Sequence, residues 1–227
     1  RSISVNLKHP DGIAMIHRMA KQADVVLENF KPGVMARLGI GYEALAKINP
    51  RIVYCSISGF GQTGPLAARP GYDQLMQAYA GLLSVTGEAN RTAVRIGPSA
   101  IDILTGSNAA FGILAALRER DRSGRGQAVD TSLYESAIHM MTHMIVDYSG
   151  TSRLPEKTGP YFSFLAPYGI FMASNREFYI GASSQVMWTK LCAALGRLDL
   201  TEDPRFLTNA ERSRNQRQLY DILELIF

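Results

Sequence analysis

The first 150 residues alternate short runs of strand-forming apolar residues with segments of helical periodicity, and that alternation leaves few architectures open. Residues 11–21 place Ile13, Ile16 and Met19 on one face of a helix, and residues 24–27 (DVVL) make a short buried strand. A helix follows the loop at 28–33 and runs to about Leu38, and residues 42–48 form another that Pro50 stops. Residues 51–58 (RIVYCSIS) are the best strand of the chain, bounded by Gly59. Helices are predicted over 73–83, 103–118 and 132–148, with a strand over 126–130. Strands joined through helices predict a mainly parallel sheet covered by helices.

The character changes after Gly150. Residues 151–167 are rich in Pro, Gly, Ser and aromatics and read as a linker or active-site loop. A hairpin is expected from strands at 168–173 and 177–182 around Ser174-Asn-Arg176, followed by helices at 185–195 and 212–227. The fold class expected is therefore α/β: a Rossmann-like parallel sheet in a large domain (residues 1–150), a linker (151–167) and a smaller α+β domain (168–227). The chain starts within one element and stops in an apolar helix without a cap, so it is expected to be a piece of something longer.

Composition narrows the functional classes. Hydrophobic residues make up 46% and charged residues 19% of 227, as in ordinary globular proteins. The longest uncharged apolar run, residues 109–117, is too short to span a bilayer, so no membrane partner is expected. The net charge of +4 is mild, and Arg118, Arg120, Arg122 and Arg125 are interrupted by Glu119 and Asp121 with no aromatics between them. That pattern suits a solvated turn rather than a nucleic-acid surface. Cys55 and Cys192 give no disulfide framework, which makes a cytoplasmic location the expectation.

Asp102 carries the most chemical information. It closes the Gly/Pro-punctuated run Arg95-Ile-Gly-Pro-Ser-Ala-Ile-Asp102 and opens a helix. At such a junction an acid is either an N-cap or a nucleophile whose charge the helix N-terminus favours. Gly59-Phe-Gly-Gln-Thr-Gly64 satisfies the dinucleotide pattern, but Pro65 and Pro70 prevent the helix that would hold a pyrophosphate, so a nicotinamide cofactor is not expected. Glu135, His139, His143 and Asp147 recur every fourth residue; this stripe drifts around a helix and reads as polar or subunit-facing rather than as a metal site. No G-x-S-x-G elbow supports a serine hydrolase.

Four segments together resemble the class III CoA-transferases, the family of formyl-CoA and carnitine CoA-transferases. They are Ala23-Asp-Val-Val-Leu-Glu-Asn-Phe-Lys-Pro-Gly33, Ser58-Gly-Phe-Gly-Gln-Thr-Gly-Pro65, Arg69-Pro-Gly-Tyr-Asp73 and Gly124-Arg-Gly-Gln-Ala-Val-Asp-Thr-Ser-Leu-Tyr-Glu135, with Asp102 between the third and fourth. The resemblance implies that Asp102 attacks the thioester of an acyl-CoA, giving a mixed anhydride and then an aspartyl-CoA thioester, with amides near Gly97 or a glycine loop stabilising the oxyanion. It further implies CoA contacts from Asn29, Phe30, Lys31 and Arg37, with Arg69 and Tyr72 beside the thioester. The substrates implied are an acyl-CoA and a small carboxylic acid, with no permanently bound cofactor, in an intertwined homodimer. The same resemblance takes in the α-methylacyl-CoA racemases, but these have a histidine where this chain has Tyr72 and a glutamate near Ser184. A catalytically silent CoA-binding protein is the remaining alternative.

Overall fold

The computed structural model describes residues 2–227, which form two compact units: residues 2–84 with Arg95–Pro155, and Val85–Val94 with Glu156–Phe227. In the first unit the elements run α1 (Pro10–Ala20), β1 (Val25–Glu28), α2 (Val34–Arg37), α3 (Tyr42–Ile48), β2 (Val53–Ser58), α4 (Asp73–Tyr79), α5 (Leu82–Val85, whose last residue counts with the second unit), α6 (Ala100–Ser123), β3 (Ala128–Ser132), α7 (Leu133–Met140) and α8 (Thr142–Thr151). The three strands are parallel in the order β1-β2-β3, with Val25 opposite Val53 and Tyr54 opposite Ala128. The central strand explains the burial pattern: Val53, Tyr54, Cys55 and Ser56 are buried in succession, as expected for a strand covered on both faces. Ala20 of α1 and Leu45 of α3 form a core cluster with Ile40, Ile52 and Tyr54, while α6 packs on β2 and β3.

Three predicted helices of this unit differ from those observed. The segment 132–148 is not one helix: it breaks at Met141, and Ser132 and Glu135 form a reciprocal cap at the start of α7. Glu135 is thus occupied by the Ser132 N–H at 3.2 Å, and the four-residue stripe is divided between two helices. The segment 73–83 likewise divides into α4 and α5. Helix α6 is longer than predicted, beginning at Ala100 and ending at Gly124, where φ of 75° supplies the left-handed closure that glycine favours. By length and composition α6 is also apolar enough to cross a membrane, unlike the shorter run seen in the sequence. It packs against β2, β3, α4 and α7, yet leaves Ile103, Phe111 and Leu114 exposed.

The second unit pairs β4 (Tyr168–Met172) with β5 (Glu177–Gly181) as an antiparallel hairpin, followed by α9 (Gln185–Ala194), a short 3-10 helix (Leu198–Thr201), α10 (Asn209–Arg214) and α11 (Gln216–Ile226). The predicted helix 212–227 is interrupted at Asn215, whose side-chain amide donates to Arg205 O and Glu211 O. The core contains Phe171, Trp188, Phe206, Leu219 and Leu223, and Arg212 is buried among them. That guanidinium donates to Ala166 O at 2.7 Å, Phe206 O at 3.0 Å and Gln185 Oε1 at 3.0 Å, and it stacks on the Trp188 ring.

Candidate active site

A cavity of about 890 Å³ opens in the first unit beyond the C-terminal ends of β1 and β2, the usual ligand position for an open parallel sheet. Each wall comes from a segment singled out in the sequence. The loop after β1 supplies Asn29, Phe30 and Lys31; the Asn29 amide donates to Ile57 O at 3.1 Å, which ties this loop to the end of β2. The buried Glu28 accepts from the Phe30 N–H at 2.7 Å and bends the chain outward, leaving Phe30 half exposed over the cavity and Lys31 in solvent, without an ion pair among the described residues.

The glycine loop after β2 does not enter a helix before Asp73, in keeping with Pro65 and Pro70. Its shape is fixed by Ser58 Oγ accepting from Gly61 N–H and Asp130 Oδ2 accepting from Gln62 N–H, with Gly61 at φ 90°. Gly59 then meets Gly71 so closely that a Cβ on Gly71 would stand 2.3 Å from Gly59 Cα. This contact joins the two glycine segments and sets Arg69 and Tyr72 at the cavity wall. Tyr72 is 71% exposed, and among the described residues the Arg69 guanidinium is held by Tyr79 Oη at 3.2 Å and by no carboxylate.

Asp102 lies in the first turn of α6, the third residue of the helix, and so is not its N-cap as one reading of the sequence had it. Asp73 takes the capping role from outside the helix: its Oδ2 accepts from Ile101 N–H at 2.8 Å and Asp102 N–H at 3.2 Å. The Asp102 side chain is exposed to the cavity, and no hydrogen bond or ion pair to it is formed among the described residues. Partial desolvation raises its carboxyl pKa above the ordinary value, and the negative charge of Asp73 pushes in the same direction.

The cavity therefore brings together Asp102, Asn29, Phe30, Lys31, Arg69 and Tyr72. Arg37 is not in its lining; it folds back along α2 toward Gly33. Gly97 is absent from the lining too, and its carbonyl accepts from Arg95, whereas Gly59 and Gly71 do face the cavity. Sequence reasoning gave no role to Asp73 or Gln77, although acid and amide one turn apart at a helix start were a readable signal. Among the described residues no three His, Cys, Asp or Glu side chains converge as a metal site.

An exposed carboxylate at a helix start thus faces a cavity walled by an Asn-Phe-Lys loop and two packed glycine turns, of a size that holds a small-molecule ligand. The chain belongs to CoA-transferase family III, whose pattern it matches over residues 1–227. It is 40% identical over 224 residues to an acetyl-CoA:oxalate CoA-transferase of Acetobacter aceti, and 39% identical over 224 residues to a succinyl-CoA–D-citramalate CoA-transferase of Chloroflexus aurantiacus. These alignments take in 98% of this chain and 58% and 56% of the two relatives, so the chain spans little more than half their length. A crystal structure of a CAIB/BAIF family protein from Brucella suis superimposes with a TM-score of 0.83 at 36% identity, covering 99% of this chain and 60% of that one.

Proposed function

We propose that the protein containing this chain transfers CoA between carboxylic acids through covalent intermediates on Asp102. The observation that carries this reading is the uncommitted Asp102 carboxylate in a cavity shared with the Asn29-Phe-Lys31 loop. An ionised carboxylate needs no general base to act as a nucleophile. Its oxygen adds to the thioester carbonyl, the C–S bond breaks, and CoA leaves as the thiolate with the acyl group held as a mixed anhydride. The thiolate then attacks the aspartyl carbonyl and releases the first acid, leaving an aspartyl-CoA thioester. The incoming carboxylate attacks that thioester, its C–S bond breaks to give a second mixed anhydride and free thiolate, and the thiolate attacks the new acyl carbonyl to form the product acyl-CoA and release the Asp102 carboxylate. Each step conserves charge without an oxidant or a metal.

Lys31 is suited to the CoA phosphates and Phe30 to stacking on adenine, with Asn29 shaping their loop. Arg37, exposed beyond the cavity, is assigned to the outer phosphates. Arg69 and Tyr72 are assigned to the thioester end, where an uncompensated guanidinium suits the carboxylates of substrate acids. The acids we propose are dicarboxylic, because oxalate and D-citramalate in the names of the two relatives both are. We further propose a homodimer in the cytoplasm; the exposed Ile103, Phe111 and Leu114 of α6 are a surface that association would cover.

The test is to incubate the full-length protein with succinyl-CoA, quench with hydroxylamine and map the modified peptide by mass spectrometry. A hydroxamate at Asp102 supports the covalent transferase. No adduct across a panel of acyl-CoAs refutes it; exchange of α-protons in deuterated water would then identify a racemase, and its absence a silent binder.

A further inference from the structure

In the first turn of α6 the amide groups of the helical residues are bonded to acceptors other than Asp102. A helix start leaves its first N–H groups without intrahelical partners, and a carboxylate in that turn is ordinarily drawn back onto them. Here Ala100 N–H is taken by Pro98 O at 2.9 Å, Ile101 and Asp102 N–H by Asp73 Oδ2, and Ile103 N–H by Ser99 O at 3.1 Å. Ser99, the residue in the N-cap position, makes no side-chain cap. The N–H groups of the first four helical residues, 100–103, are thus satisfied from elsewhere.

Asp73 is itself held. It is only 7% exposed, and its Oδ1 accepts from Gln77 Nε2 at 2.5 Å. Gln77 is fully buried one turn further along α4, and its Oε1 accepts from Ile96 N–H at 2.9 Å. The pair therefore ties the segment between Ile96 and Asp102 to α4 at both ends. Asp73 also directly follows Tyr72, which stands in the N-cap position of α4 and faces the cavity.

We propose that Asp73 and Gln77 form a buried clamp that positions Asp102: Asp73 caps α6 from outside, Gln77 fixes the upstream end of the loop, and the Asp102 carboxylate stays free and in register with Tyr72. Asp73 and Gln77 are positioning residues in this role, acting through hydrogen bonds rather than on the substrate. The inference rests on Asp102 being the nucleophile.

The experiment uses full-length wild-type protein, Asp73→Asn, and the double variant Asp73→Asn/Gln77→Glu, with succinyl-CoA as donor. In the single variant either orientation of the new amide puts a donor against a donor, at Gln77 Nε2 or at the α6 amides. In the double variant the new amide oxygen caps α6, its nitrogen donates to the new carboxylate, and that carboxylate still accepts from Ile96 N–H. The clamp predicts that Asp73→Asn slows hydroxamate formation at Asp102 by about 100-fold, the size of effect that a 1 Å misplacement produces, with KM changed less than about 2-fold. It predicts that the double variant recovers most of the lost rate. A folded Asp73→Asn protein within about 3-fold of wild type overturns the proposal. So does a double variant that regains the wild-type melting temperature but stays as slow as the single one, since its geometry would be restored without function. Wild-type protein that turns over without a hydroxamate at Asp102 refutes the nucleophile itself, a result visible before any variant is compared.

Discussion

Replacing Gly71 by alanine tests whether the contact between the two glycine segments shapes the site. The added Cβ would stand 2.3 Å from Gly59 Cα and 2.9 Å from Met76 Cε. Carbon atoms rest at about 3.5–4.0 Å, so the two backbones must part by more than about 1 Å. The Met76 end can swing away, but Gly59 Cα is backbone, and its loop is tied through Gly59 O to Tyr134 N–H at 3.0 Å. Overpacking of this kind costs about 1–3 kcal/mol. The displacement falls on Tyr72 and Arg69, which adjoin Gly71, and a shift of about 1 Å there is expected to lower transfer by about 100-fold. Urea unfolding of the full-length protein measures the first effect as a lower midpoint with unchanged slope, and initial rates at saturating acyl-CoA measure the second. Gly150→Ala is the control: in α8 its Cβ would meet nothing within 4 Å, and it is expected to stabilise by about 0.5–1 kcal/mol. A Gly71→Ala protein with wild-type midpoint and rate would show that the close approach is not a constraint.

Four further outcomes follow from the geometry. Asp102→Ala should abolish transfer yet leave the melting temperature nearly unchanged, because Asp73 does the capping; a loss near the 1 kcal/mol typical of a removed N-cap would contradict this. Transfer rate should fall on acidification through a limb above the ordinary aspartate value of about 4, since the attacking form is the ionised one and the Asp102 pKa is raised. The sign for stability is the reverse of a salt-bridged acid: native Asp102 keeps its proton to higher pH than the unfolded residue, so its ionisation weakens folding as pH rises through that window, and Asp102→Asn should remove this contribution from a stability–pH series. Arg212→Ala should destabilise the second unit by about 3 kcal/mol or more, leaving the Ala166 and Phe206 carbonyls unpaired beside a void against Trp188; thermal unfolding followed by circular dichroism reads this as a lower midpoint.

Much of this was legible along the chain because it depends on near neighbours. The mainly apolar run at 51–58 and the alternation around it announced a parallel sheet, since a strand buried on both faces is apolar along most of its length, and β2 runs Val53–Ser58. Pro65 and Pro70 told against a pyrophosphate helix, because proline removes the donors such a helix needs, and none forms before Asp73. Helix interruptions were less visible. Met141 and Asn215 carry no strong breaker, and the breaks there are set by packing and by side-chain bonds such as Asn215 to Arg205 O.

The sequence by itself determined which residue types are available to the site and their order: an acid before a helix, an Asn-Phe-Lys loop after a strand, and two glycine turns. Tertiary structure alone decided which acid caps and which is free. Asp73 and Asp102 are separated by 28 residues and stand at the starts of different helices, so the local sequence gives the cap of α6 to Asp102 alone. Only the packing of α4 against α6 puts Asp73 Oδ2 within 2.8 Å of Ile101 N–H. A helix amide can be satisfied by any acceptor that reaches it, so the choice belongs to the folded chain and not to its local sequence.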